Sequence, residues 1–148
     1  MQTLLNPLIL TTFFPLVGVL VLLLLRPSAV RAARWTALLT SLAAFGLSIW
    51  VLLGFQRGTA ELQMAVDLPW LTLAGVEIRF FMAVDGLSIL MVLLTTFLVP
   101  LAVLSTWTAV QEKVRGFMIS FLLLEVGMLG VFLAQDLVLF YIFWEFTL

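Results

Sequence analysis

Two glutamates stand where a carboxylate is costly, and their spacing suits proton transfer. Glu125 lies inside the apolar run 117–134, and Glu145 inside a second run that starts at Leu137. Gln135-Asp136 forms a turn between them, with Glu125 ten residues before Gln135 and Glu145 ten residues after it. Two antiparallel helices leaving that turn rise 1.5 Å per residue. Both carboxyls then lie ~15 Å from it, at matching depth near the middle of a ~30 Å hydrocarbon layer. An ionised carboxylate there costs at least ~2.5 kcal/mol. It has to face the bundle interior or water, and either pair with a cation or take up a proton. A group poised between those outcomes changes protonation state when its partner moves, which is what a proton relay requires. The simpler reading makes each Glu a neutral, hydrogen-bonded packing residue; two acids at one depth on adjacent helices favour the relay. No span of this sequence holds a Lys or Arg to pair with them.

The remaining acids near spans have structural readings. Asp85 precedes Gly86-Leu87-Ser88, and Asp136 precedes Leu137. Each can cap a helix N-terminus, where negative charge is favourable. A weaker role for Asp136 in an outer-side proton exit stays open beside its capping role. Ser88, Thr95 and Thr96 can line a polar path or bond back to their own helix. There are no Cys and no His, which excludes Cys-ligated iron–sulfur clusters, His-ligated haem or zinc and thiol chemistry from these residues. No metal site and no cofactor site is expected on the chain.

The elements that position these residues are transmembrane helices. Of 148 residues, 64% are hydrophobic and 10% charged, and mean hydropathy is +1.27. A soluble fold of this size would lack the polar surface to cover itself. The net charge of −1 supplies no basic patch for nucleic acid. Spans are expected at about 4–25, 35–55, 84–108 and 117–134, with a fifth helix at 137–148. The first has no basic leader or small-residue cleavage site and reads as a retained helix. Pro15 and Pro100 should kink the first and third spans. Twelve residues make only ~18 Å of helix, so the fifth span reads as incomplete and the chain as a fragment truncated within that helix. The fold expected is an all-α, polytopic transmembrane bundle forming one domain.

Loop charges orient it. Arg26, Arg31, Arg34, Lys113 and Arg115 lie in the first and third loops, five of the seven basic residues. That side is then cytoplasmic and the N-terminus faces out. The same Arg cluster can also meet anionic lipid. Trp35, Trp70 and Trp107 sit near span ends, as interfacial anchors do. In the outer loop 56–83, Trp70–Leu73 and Val76–Phe80 alternate with period two around Ala74-Gly75. This favours a hairpin with Leu71 and Leu73 facing Ile78 and Val76, in which Trp70 can stack on Arg79, over the simpler reading of a short amphipathic cap lying on the membrane surface.

The stretch Val84-Asp85-Gly86-Leu87-Ser88 and the stretch Leu122-Leu123-Leu124-Glu125-Val126-Gly127-Met128-Leu129-Gly130 resemble a known family, as does Asp136-Leu137-Val138-Leu139-Phe140-Tyr141-Ile142-Phe143-Trp144-Glu145. They resemble the third, fourth and fifth helices of the M-type, antiporter-like membrane subunit of proton-translocating NADH–quinone oxidoreductase (complex I). The likeness is specific over about 80–148. It implies a subunit of some fourteen helices, in which the Glu at the position of Glu145 is an essential member of the proton pathway. There it pairs with a Lys on a later broken helix, and Glu125 is a less uniform acidic site. It also implies that FMN and iron–sulfur clusters reside on partner subunits. The partners would be other membrane-arm subunits, the lipid bilayer and protons, in a bacterial inner membrane or an equivalent energy-converting membrane. L- and N-type subunits, multisubunit cation/proton antiporters and membrane-bound hydrogenases share much of this pattern.

Overall fold

A computed structural model describes residues 6–59, 61–73 and 75–148. Hydrophobic runs this long have one way to satisfy their backbone in lipid, and that is to close every amide within the segment as a helix. The chain forms α1 (Pro7–Phe13), α2 (Pro15–Leu24), α3 (Val30–Gly54), a hairpin of β1 (Gln63–Leu73) and β2 (Val76–Val84), then α4 (Ser88–Ser105), α5 (Val114–Leu133) and α6 (Leu137–Thr147). α1 and α2 together form one crossing of 18 residues, and α3, α4 and α5 are each long and apolar enough to cross by themselves. The protein is an integral membrane helical bundle with one small sheet among its described residues.

Several boundaries differ from the sequence expectation, each for a local reason. The first crossing is broken at Phe14, because Pro15 opens a new helix and has no amide for the Thr11 carbonyl. The second helix starts at Val30 and not at 35, so it carries Arg31 and Arg34 on its first turns. Apolar periodicity hides that turn because these side chains keep their charges at its polar end. Arg34 donates to the Val110 carbonyl at 2.8 Å and sits over the Trp107 ring at 5.9 Å. Trp107 in turn meets Trp35 edge-to-face at 5.5 Å. The third helix starts at Ser88, since Val84 ends a strand.

The hairpin is longer than the alternating segment suggested. Its tip pairs Leu71 with Ile78, Thr72 with Glu77 and Leu73 with Val76, and Gly75 adopts φ 84°, which glycine tolerates without strain. The stacking of Trp70 on Arg79 does not occur. The register slips between Pro69 and Leu71, so Arg79 pairs with Pro69 and Trp70 becomes the extra residue of a bulge. Proline cannot donate to a ladder and is accommodated at such irregularities. Trp70 meets Phe80 edge-on at 6.4 Å, while Arg79 Nε donates to Asp67 at 2.7 Å.

The hairpin is tied to one end of the helix bundle. The Gln135 amide donates to the Phe81 carbonyl at 2.8 Å, and Asn6 Nδ2 to the Met64 carbonyl at 2.9 Å. Beneath it, α5 is the central post, packed against α2, α3, α4 and α6. The α5–α6 pair closes through glycines. A Cβ on Gly130 would collide with the Phe143 ring, and one on Gly127 would come 2.7 Å from Thr147. Gly130→Val should therefore push α6 off α5 and destabilise the protein by about 1–3 kcal/mol. The check is a lower unfolding midpoint in detergent, with Gly116→Val, which meets open space, as the comparison.

Candidate functional site

The apolar core is in two pieces. One cluster gathers Leu8, Val51, Met82, Val92, Val126, Leu129 and Leu133 near the hairpin. The other gathers Val19, Leu22, Leu38, Val99, Val103, Met118 and Leu122 toward the opposite end. Between them, every crossing places polar side chains. Thr11 and Thr12 lie between Leu8 and Val19, Ser41 and Ser48 between Leu38 and Val51, Thr95 and Thr96 between Val92 and Val99, and Glu125 between Leu122 and Val126. Seven of the eight buried polar residues among those described fall in this layer; the other, Ser88, belongs to a helix start.

The hydroxyls in the layer are mostly spoken for by their own helices. Thr11 donates to Pro7, Thr12 to Leu8 and Ser41 to Leu38. Ser48 and Thr96 join α3 to α4 at 2.8 Å, and each also lies against a carbonyl one turn earlier on its own helix. Sequence reading picked out Thr95 and Thr96 but missed Thr11, Thr12, Ser41 and Ser48. Single Ser and Thr residues in an apolar run carry no periodic signal of their own, although their 3.6-residue spacing with Ala37 and Ala44 on α3 would have marked the face.

Glu125 is the one ionisable member of the layer. It is fully buried, and neither carboxyl oxygen has a hydrogen-bond partner. Such a carboxyl cannot sit ionised and alone in a dry interior.

Glu145 is placed differently. α6 turns Leu139 and Phe143 inward, and two residues further on, 200° around the helix, Glu145 is exposed. Tyr141, one turn earlier, is exposed on the same face. The two glutamates thus point to opposite sides of the α5–α6 pair. The structure does not bring them together; matching depth fixes height along the helices and leaves the direction around them free.

Asp85 and Asp136 both cap helices. The Asp85 carboxylate accepts from the Ser88 amide at 2.7 Å and the Leu87 amide at 3.0 Å, while Ser88 Oγ accepts from the Asp85 amide. The Ser88 amide above all holds the Asp85 carboxyl below its ordinary range. Asp136 accepts from Val138 at 2.9 Å and Leu139 at 3.1 Å, and reaches the Arg79 amide of the hairpin at 3.4 Å. These bonds, led by that from Leu139, lower its pKa from 3.8. Because the folded value is depressed, the cap contributes fully above about pH 3.8 and fades as pH falls through the lower folded value. Asp136→Ala should lower the unfolding midpoint at neutral pH, and the gap to the parent should close as the medium is acidified below that range. Thermal melts across pH check this.

No protein-family model matches the chain. It is 42% identical over 144 residues to "NADH-quinone oxidoreductase subunit M" of Rhodobacter capsulatus, covering 95% of this chain and 27% of that protein. It is 36% identical over 134 residues to "NADH-ubiquinone oxidoreductase chain 4" of Arabidopsis thaliana, covering 90% and 27%. Over this stretch the chain is homologous to the M-type, or chain 4, subunits, and it spans about a quarter of their length. Among solved structures it superposes, with a TM-score of 0.71 and 21% identity, on a chain of the membrane-bound sulfane sulfur reductase, an archaeal respiratory membrane complex. The match covers 96% of this chain and 21% of that one, and it shows a shared fold.

Proposed function

We propose that this chain, homologous to a quarter of the M-type subunit of NADH–quinone oxidoreductase, is part of a proton-translocating membrane-arm subunit of such a complex. In this reading the electron transfer from NADH to quinone occurs on partner subunits that carry FMN and iron–sulfur clusters. This chain binds no redox cofactor and contributes carboxyls that take up and release protons. The observation that carries the reading is Glu125, fully buried and unpartnered in a polar layer between two apolar clusters.

Glu145, on the exposed face of α6, is the switchable carboxylate. It is directed at whatever packs on that face, which is where a cationic partner would have to come from. Glu125 is the adjoining proton site, and Asp136, at the outer turn, has a weaker role in proton exit beside its structural one. The driving change reaches these groups as a movement or a charge change in neighbouring subunits. With the basic loops on the cytoplasmic side of an energy-converting membrane, the N-terminus lies outside.

A second reading comes from the fold shared with a respiratory complex of different chemistry: a subunit of a multisubunit cation/proton antiporter or a membrane-bound hydrogenase. Purification of the full-length protein from its membrane decides between them. Flavin, iron–sulfur subunits and NADH oxidation should accompany it under the first reading, and ion exchange without NADH oxidation supports the second. Glu145→Gln in the assembled complex should abolish most NADH-driven proton uptake into vesicles. Normal pumping with normal assembly would leave the chain a scaffold.

A further inference from the structure

The direction in which Glu145 points is decided on the opposite side of its own helix. α6 is 11 residues long and buries Leu139 and Phe143. Its first turn is fixed by the hairpin, through the Gln135 amide on the Phe81 carbonyl and Asp136 on the Arg79 amide. Further along, it is fixed by Phe143. Gly127 and Gly130 stand three residues apart on one face of α5 and leave its backbone bare toward α6. The Phe143 ring fills the space at Gly130, where a Cβ would overlap it, and Thr147 fills that at Gly127, where a Cβ would come within 2.7 Å. The ring also meets Phe13 at 6.3 Å, and Phe13 stacks on Phe80 of β2 at 6.4 Å. A close-packed contact of this kind does not let the helix turn about its axis without displacing the ring. Glu145 follows Phe143 by two residues, so whatever turns the ring turns the carboxylate through the same angle.

We propose that Phe143 is a positioning residue for Glu145: seated against Gly130 and braced by Phe13, its ring sets the rotation of α6 and so presents the carboxylate on the exposed face. The proposal rests on the reading of Glu145 as the switchable carboxylate and adds what aims it. Proton affinity depends on how far a carboxylate is from water and from opposite charge, and both change when the helix turns. Tyr141 is the other titratable group on the Glu145 face among the described residues. Of the elements packed on α6, α5 carries the buried Glu125 and, in its first turn, Arg115, and β2 carries Glu77 and Arg79 in the hairpin. Leu139 is buried like Phe143 but is not among the atoms nearest either glycine.

The test uses the full-length protein in its assembled complex, in vesicles of its native membrane, with NADH oxidation and proton uptake followed across pH. Phe143→Leu shrinks the side chain, and Gly130→Ala puts a methyl group into the ring. Each should keep NADH oxidation, lower the protons moved per NADH, and move the pH of half-maximal proton uptake by about half a unit or more. In the double variant Gly130→Ala/Phe143→Leu the smaller side chain makes room for the methyl, and the profile should return toward that of the wild type. Leu139→Ala also loses buried packing, and should lower the unfolding midpoint while leaving the profile in place. An unmoved profile in Phe143→Leu and Gly130→Ala, or an equal movement in Leu139→Ala, overturns the proposal. So does failure of the Phe143 and Gly130 variants to assemble where Leu139→Ala assembles, which leaves Phe143 a residue of stability alone. Normal pumping in Glu145→Gln removes the reading of Glu145 itself; lost pumping there, with an unmoved profile in the other variants, removes only the role of Phe143.

Discussion

Lipid cannot hydrogen-bond, and the rest of this structure follows from that constraint. Each backbone amide has to be satisfied within its helix, and each polar side chain has to find a partner inside the bundle. Ser and Thr can do this by turning back onto their own helix, and here they do so on α1, α3 and α4. A carboxyl cannot turn back in that way, because the helix offers it no free donor. Glu125 is consequently left without a partner while Thr11, Thr12, Ser41, Ser48 and Thr96 of the same layer have closed their bonds.

The two halves of the core serve different purposes around that layer. Near the hairpin, Met82 and Val84 of β2 join Leu8, Leu129 and Leu139, so the extramembrane hairpin and the crossings share one packed cluster. The Asp136 cap adds a polar tie at the same end, binding the first turn of α6 and the hairpin backbone with a single carboxylate. At the opposite end, Arg34 and Arg115 close the bundle by donating to carbonyls outside the helices, Val110 in the α4–α5 connection and Leu25 at the end of α2. Charged groups thus hold the rims, and only one ionisable side chain is fully buried among the described residues.

The contrast between Glu125 and Glu145 assigns them different chemistry. Glu125 is enclosed by the chain itself, among the buried hydroxyl residues of the layer. Glu145 shares an exposed face with Tyr141 and Trp144, open to whatever packs on that side of α6. Proton transfer between the two would have to pass around the α5–α6 contact, which Gly127, Gly130 and Phe143 close tightly.

Much of this was legible in the residues. The membrane class and the number of crossings depend on hydrophobic run length and rise per residue, which are properties of the chain in one dimension. Capping by Asp85 and Asp136 is equally local, since a carboxylate and the amides two and three residues later are covalently near. The bulge at Trp70 was not legible, because alternation carries no mark for the extra residue that Pro69 brings. Nor were the polar layer and the outward turn of Glu145. Both depend on which face of each helix meets its neighbours, and apart from the Ala37, Ser41, Ala44 and Ser48 stripe of α3 no pattern in these apolar helices records that choice. The glycines of α5 and the packing of Phe143 made it. The sequence by itself placed two acids at one depth; tertiary packing decided that one would be enclosed and the other presented.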